Sequence, residues 1–129
     1  MLHPAVLAEL LDAEVAAAVE QFGRPVTRIG HTITAPLRSG TQLRFDAGRY
    51  DAEPMAVDVT DADGTPLPPT AWPGTLFHSI HPVHERPFVC IRGTFEYHTH
   101  PSHLADRWDL YRGRLQLADL LAHLYDKAG

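Results

Sequence analysis

Residues 26–60 read VTRIGHTITAPLRSGTQLRFDAGRYDAEPMAVDVT and contain short segments in which apolar and polar side chains alternate. In the middle segment, Leu43 and Phe45 lie two positions apart, so they point to the same face of an extended chain. The same pattern predicts strands at several places. The predicted strands are 26–35, 41–45, 55–60 and 75–80. Because the connections between them are short or turn-rich, we expect a four-stranded antiparallel meander.

Helical patterns stand on either side of this predicted meander. Residues 4–22 carry apolar side chains at helical spacing, with Pro4 in the first turn and Gly23 directly after the last. Residues 114–126 carry a face of leucines. The acidic residues of the first helix are expected to form a solvated face; they are Glu9, Asp12, Glu14 and Glu20. The sequence thus predicts a single α+β domain over 1–129, with a loop-rich segment between the sheet and the C-terminal helix.

Composition excludes several classes of protein. The chain has 129 residues, of which 44% are hydrophobic and 21% charged, as expected for a globular protein. Its net charge of −5 argues against nucleic-acid binding, which needs a basic surface. No apolar run is long enough to span a membrane. With one cysteine and no signal-peptide pattern, we expect a protein of the reducing cytoplasm.

Cys90 is the only cysteine, so it cannot form an internal disulfide. It follows a His81-Pro82 pair by nine residues and is flanked by apolar side chains. Six histidines lie within 26 positions around it. They are His78, His81, His84, His98, His100 and His103. These features leave three hypotheses for Cys90: a buried residue with a packing role only, a minor metal ligand, or a nucleophile.

The order of these elements resembles the ubiquitin-conjugating enzyme family, in the manner of a divergent bacterial member. In that family an N-terminal helix and a four-stranded meander precede a His-Pro-Asn motif, and a thioester-forming cysteine follows. The counterparts here are the His81-Pro82 pair and Cys90 with Ile91 after it. Trp108 resembles a tryptophan that the family carries downstream. The resemblance in order covers nearly the whole chain.

The resemblance implies a function for Cys90. Its thiolate would accept a ubiquitin-like protein as a thioester from an activating enzyme and pass it to an acceptor amine, with no cofactor required. Val83 stands where the family has an asparagine that supports the oxyanion. His81, His84 or a backbone amide is therefore expected to supply that help. An inactive member of the same fold, serving as an interaction module, is an alternative.

The histidines after Cys90 suggest a rival function. The run His98-Thr99-His100-Pro101 matches the start of the zinc signature of JAB/MPN metalloproteases, but the serine and aspartate spacing of that signature is missing. A structural or metallohydrolase-like zinc site on His98, His100 and His103 is therefore the second hypothesis, with Zn²⁺ as the candidate cofactor.

Overall fold

The computed structural model describes residues 2–129 and begins with a long helix, α1, at Pro4–Phe22. Both ends follow local sequence signals. The Nδ1 atom of His3 accepts a hydrogen bond from the backbone N–H of Ala5, and Gly23 closes the helix in the left-handed conformation at φ 61°. The predicted bounds of this helix are therefore confirmed.

A four-stranded antiparallel sheet follows α1, in the order of the chain. Its strands are β1 (Thr27–Ile29), β2 (Thr32–Pro36), β3 (Thr41–Asp46) and β4 (Ala56–Asp61). In the register, Leu43 pairs with Val59 and Phe45 pairs with Val57. These alternate side chains point into the core, as the two-residue periodicity predicts.

The predicted number of strands is confirmed, but two of the predicted strands differ from the structure. The segment 26–35 is a hairpin rather than one strand, because Gly30 turns the chain at φ 61° between β1 and β2. The segment 75–80 does not join the sheet. Only Ser79–Ile80 (β5) is extended, and it pairs with Pro87–Phe88 (β6) in a separate two-stranded ribbon.

Two helices complete the fold after the β5–β6 ribbon. Helix α2 is short, at Phe95–Thr99, and helix α3 spans Leu117–Ala128. Helices α1 and α3 pack against each other, and the ring of Phe22 meets that of Tyr125 edge to face at 5.1 Å. The apolar face of the sheet and the inner faces of both helices form one hydrophobic core. The predicted α+β architecture is thus confirmed.

In the part of the chain that the structure describes, no helix is both long and apolar enough to cross a membrane.

Glu14 departs from the expected solvated face of α1. Its side chain is only 5% exposed, and its Oε1 atom accepts hydrogen bonds from the Tyr50 hydroxyl and from the backbone N–H of Leu117. Leu117 is the first residue of α3, where helix N–H groups have no partner within the helix. The carboxylate of Glu14 therefore ties α1 to the start of α3, which the helical periodicity alone did not indicate.

Candidate active site

The His-Pro turn connects β5 to β6 and is built around the imidazole of His81. This ring is 1% exposed, and its Nδ1 atom accepts hydrogen bonds from the backbone N–H groups of Val83 and His84 at 3.1 and 3.2 Å. Its Nε2 atom lies 2.9 Å from the backbone carbonyl oxygen of Glu96, to which it donates. These three bonds fix the neutral ring with a proton on Nε2. His81 therefore holds the turn closed and has no free N–H for an oxyanion.

The ring of His84, in the same turn, lies between the rings of His81 and Phe95. Its ring stacks on that of His81 at 4.4 Å and on that of Phe95 at 5.1 Å. Its Nε2 atom lies 2.8 Å from the hydroxyl oxygen of Thr99, which itself donates to the carbonyl of Phe95. Burial, together with neighbouring His81, lowers the pKa of His84, so its Nδ1 carries a lone pair at neutral pH. The expected oxyanion role of His81 and His84 is therefore not carried by this geometry.

Cys90 follows β6 and is half-buried. Its nearest polar side-chain partner is His103, whose Nε2 atom lies 3.8 Å from Sγ, within the range of a sulfur hydrogen bond. Burial raises the pKa of the Cys90 thiol, and the charge of Lys127 only partly opposes that rise. The thiol is thus protonated at neutral pH, and a base is needed to form the thiolate. His103 is placed to be that base.

The ring of His103 is held by stacking. It lies 4.1 Å from the ring of Tyr97 and within 11° of parallel to it. The Tyr97 hydroxyl donates to the Oδ2 atom of Asp106 at 2.6 Å, and the same oxygen accepts from Nε of Arg92 at 2.8 Å. Hydrogen bonds from Tyr111 and Tyr97 lower the pKa of Asp106, so this carboxylate stays charged. The charged carboxylate of Asp106 thus holds the ring of Tyr97, on which the ring of His103 stacks.

The three histidines predicted to bind zinc do not converge on one point. Both ring nitrogens of His98 contact backbone groups: Nε2 accepts from the N–H of Gly93 at 3.0 Å, and Nδ1 donates to the carbonyl of Asp106 at 2.7 Å. The Nδ1 atom of His100 accepts from the N–H of Ser102. Among residues 2–129, no group of three or more His, Cys, Asp or Glu side chains is placed to hold a metal ion. The zinc site remains a prediction.

Two backbone N–H groups at Cys90 are candidates for the backbone amide that is expected to support the oxyanion. The backbone N–H groups of Cys90 and Ile91 donate no hydrogen bond within the described chain. Free backbone N–H groups next to a nucleophile are suitable donors to an oxyanion. The sequence interpretation missed the pairing of Cys90 with His103, because twelve residues, including helix α2, lie between them in the sequence.

Comparison with known proteins adds one finding. A family model described as Y4jH-like, Y4jH family, matches residues 75–128. The matched segment contains the His-Pro turn, Cys90, the histidine-rich stretch and helix α3. No curated protein matches the chain significantly.

Proposed function

We propose that this chain is a ubiquitin-conjugating-like transferase in which Cys90 carries a ubiquitin-like protein as a thioester. The observation that carries the proposal is the pairing of a half-buried thiol with an imidazole nitrogen at 3.8 Å. A cysteine that served only as core packing would need no base beside it. The α+β order of a helix, a four-stranded sheet, a His-Pro turn and then the cysteine supports the same function.

In the first step, Nε2 of His103 takes the thiol proton while Sγ of Cys90 attacks the thioester carbonyl presented by the activating enzyme. A new S–C bond forms, the carbonyl oxygen becomes an oxyanion, and the backbone N–H groups of Cys90 and Ile91 stabilise it. The tetrahedral centre then collapses. The bond to the activating enzyme's sulfur breaks, and that sulfur leaves with the proton held by His103.

In the second step, an acceptor amine attacks the acyl carbon on Cys90. The N–C bond forms and the S–C bond breaks, so Cys90 leaves as the thiolate. His103 takes the proton that the amine loses and returns it to the sulfur. One imidazole thus serves both half-reactions, while the backbone N–H groups of Cys90 and Ile91 support the oxyanion in place of the asparagine that the family carries at the position of Val83. The side chain of Val83 is 56% exposed and offers no hydrogen-bond donor.

A small thioester tests the nucleophile without the natural partner. S-phenyl thioacetate is mixed with the protein, and mass spectrometry follows the acetyl group on Cys90 over time. We expect one acetyl group per chain in the native protein and none on that site in Cys90→Ala. In His103→Gln, acetylation at pH 7 should be about 10²-fold slower, since general-base catalysis contributes at least that much.

His123 provides the matched control, because it is an exposed histidine on α3. His123→Gln should acetylate at the native rate. If native Cys90 reacts no faster than a free thiol in an unfolded peptide, the proposed function is wrong. With the ubiquitin-like protein, its activating enzyme and ATP, the corresponding adduct should form, be cleaved by excess thiol, and be missing in Cys90→Ala.

A further inference from the structure

A closed circuit of contacts joins the His-Pro turn to helix α2. The backbone N–H of His81 donates to the carbonyl of Arg86 at 2.8 Å, which closes the turn. The guanidinium of Arg86 forms an ion pair with the carboxylate of Glu96. The backbone carbonyl of Glu96 accepts from Nε2 of His81 at 2.9 Å. Three residues thus form a ring of interactions in which each one contacts the other two.

Glu96 also anchors this circuit to the sheet. Its side chain is completely buried, and its Oε1 atom accepts a hydrogen bond from the backbone N–H of Val57 in β4 at 2.9 Å. The neighbouring N–H of Phe95 donates to the carbonyl of Met55 at 2.9 Å. A buried carboxylate with a single cationic partner depends strongly on that partner, because removing it leaves an uncompensated charge. The position of α2 is therefore tied to Arg86.

Cys90 and His103 each lie a few residues after a member of this circuit in the chain. Cys90 lies four residues after Arg86, just past β6, and His103 lies seven residues after Glu96, in the turn that follows α2. The segment carrying the sulfur thus begins at the cation of the ion pair, and the segment carrying the imidazole begins at the anion. A change in the separation of Arg86 and Glu96 would move the two reacting groups relative to each other.

We infer that Arg86 and Glu96 are positioning residues that set the distance between Sγ of Cys90 and Nε2 of His103. Neither residue touches the reacting atoms. They act by holding the β5–β6 ribbon and α2 against β4 in one arrangement. The inference deepens the proposed function and rests on it for its catalytic meaning, but the geometry itself is measurable on the free thiol.

The test measures the rate at which iodoacetamide alkylates Cys90 across a range of pH, with urea unfolding measured alongside. Glu96→Gln keeps an oxygen for the N–H of Val57 but removes the charge that holds Arg86. We expect this variant to alkylate about tenfold more slowly at pH 7, because a thiol farther from His103 forms less thiolate. Arg86→Lys retains the cation and should recover most of the native rate, whereas Arg86→Met should not.

Asp58→Asn is the matched control. Asp58 forms an ion pair with Arg44 across strands β3 and β4, and both side chains are partly exposed. It should lower stability slightly and leave the alkylation profile unchanged. The inference is overturned if Glu96→Gln lowers stability but has the same alkylation profile as the native protein. The ion pair would then have a structural role only.

A double variant separates positioning from any other effect on the thiol. If Glu96 acts through His103, then Glu96→Gln slows alkylation little further in a His103→Gln background. An equal slowing in both backgrounds overturns the inference. The outcomes also distinguish the two proposals: a thiol that responds as expected to Glu96→Gln but takes no acetyl group from S-phenyl thioacetate supports the positioning pair and contradicts the transferase.

Discussion

The buried carboxylate of Glu14 predicts a large and specific loss of stability when it is truncated. In Glu14→Ala, the Tyr50 hydroxyl and the N–H of Leu117 lose their shared acceptor, 3.1 and 2.8 Å away in the native protein. An orphaned buried donor costs about 1–3 kcal/mol, so two cost about 2–6 kcal/mol. Domains of this size unfold with about 5–15 kcal/mol, so the variant should lose a large share of its stability. Glu14→Gln keeps one acceptor oxygen and should lose much less.

The charge of Glu14 adds a dependence on pH. Burial raises its pKa, and the hydrogen bonds from Leu117 and Tyr50 only partly oppose that rise. The folded protein thus binds the proton more tightly than the unfolded chain, whose glutamates titrate near pH 4.3. The contribution of this group to stability is complete below that pH and is lost as pH rises through the folded pKa. Glu14→Gln cannot titrate, so its stability relative to the native protein should improve as pH rises above about 4.3.

Urea unfolding, followed by circular dichroism at several pH values, measures both effects. Glu20 on the same helix is exposed and supplies matched Ala and Gln variants. We expect these controls to change the free energy of unfolding by less than about 0.5 kcal/mol. The reasoning fails if Glu14→Ala costs no more than Glu20→Ala. It fails equally if the difference between Glu14→Gln and the native protein is the same at every pH.

Three further outcomes follow from other parts of the molecule. Gly93 has φ 98°, and a Cβ there would lie 2.9 Å from a leucine side chain of α3, so Gly93→Ala should cost about 2 kcal/mol or more in thermal unfolding. Gly113 has φ 78° with open space around it, so Gly113→Ala should cost clearly less, and equal losses would contradict the packing argument. Trp108→Phe loses the 2.8 Å indole hydrogen bond to a carbonyl in the β3–β4 connection, which should lower stability by about 1 kcal/mol in urea unfolding. Elemental analysis tests the predicted zinc site. One zinc per chain that disappears in His98→Ala, His100→Ala would require the ring of His98 to release its two backbone contacts for metal, and zinc-free protein would contradict the prediction.

Local signals made helix α1 and strands β3 and β4 predictable. Pro4 and Gly23 act on the backbone at their own positions, so they bound α1 whatever the rest of the chain does. The strand assigned to 26–35 was predicted as one element because Thr and Ile favour extended backbone on both sides of Gly30. Whether a glycine in such a run makes a bulge or reverses the chain depends on pairing with β3, which periodicity does not contain.

The site was only partly predictable for a similar reason. Cys90 and the His81-Pro82 turn are adjacent in sequence, so their combination is visible in the letters alone. His103 appeared among candidate metal ligands, because its approach to Sγ depends on how the turn after α2 packs beside β6. Glu96 lies in a stretch with no apolar periodicity to mark it as buried. Its role follows only once α2 is seen against β4.

The placement of Glu96 also covers part of the edge of the sheet, where strands of other chains could add. β4 is the last strand of the sheet, and its outer side offers backbone groups to which another chain could add a strand. The Glu96 carboxylate occupies the N–H of Val57, and the segment before α2 occupies the carbonyl of Met55. At the opposite side, β1 has three residues, too short to serve as a template. A substitution that frees α2 would therefore expose the unpaired edge of β4 and also loosen the contact between Cys90 and His103, so aggregation should accompany any change in the reactivity of the thiol.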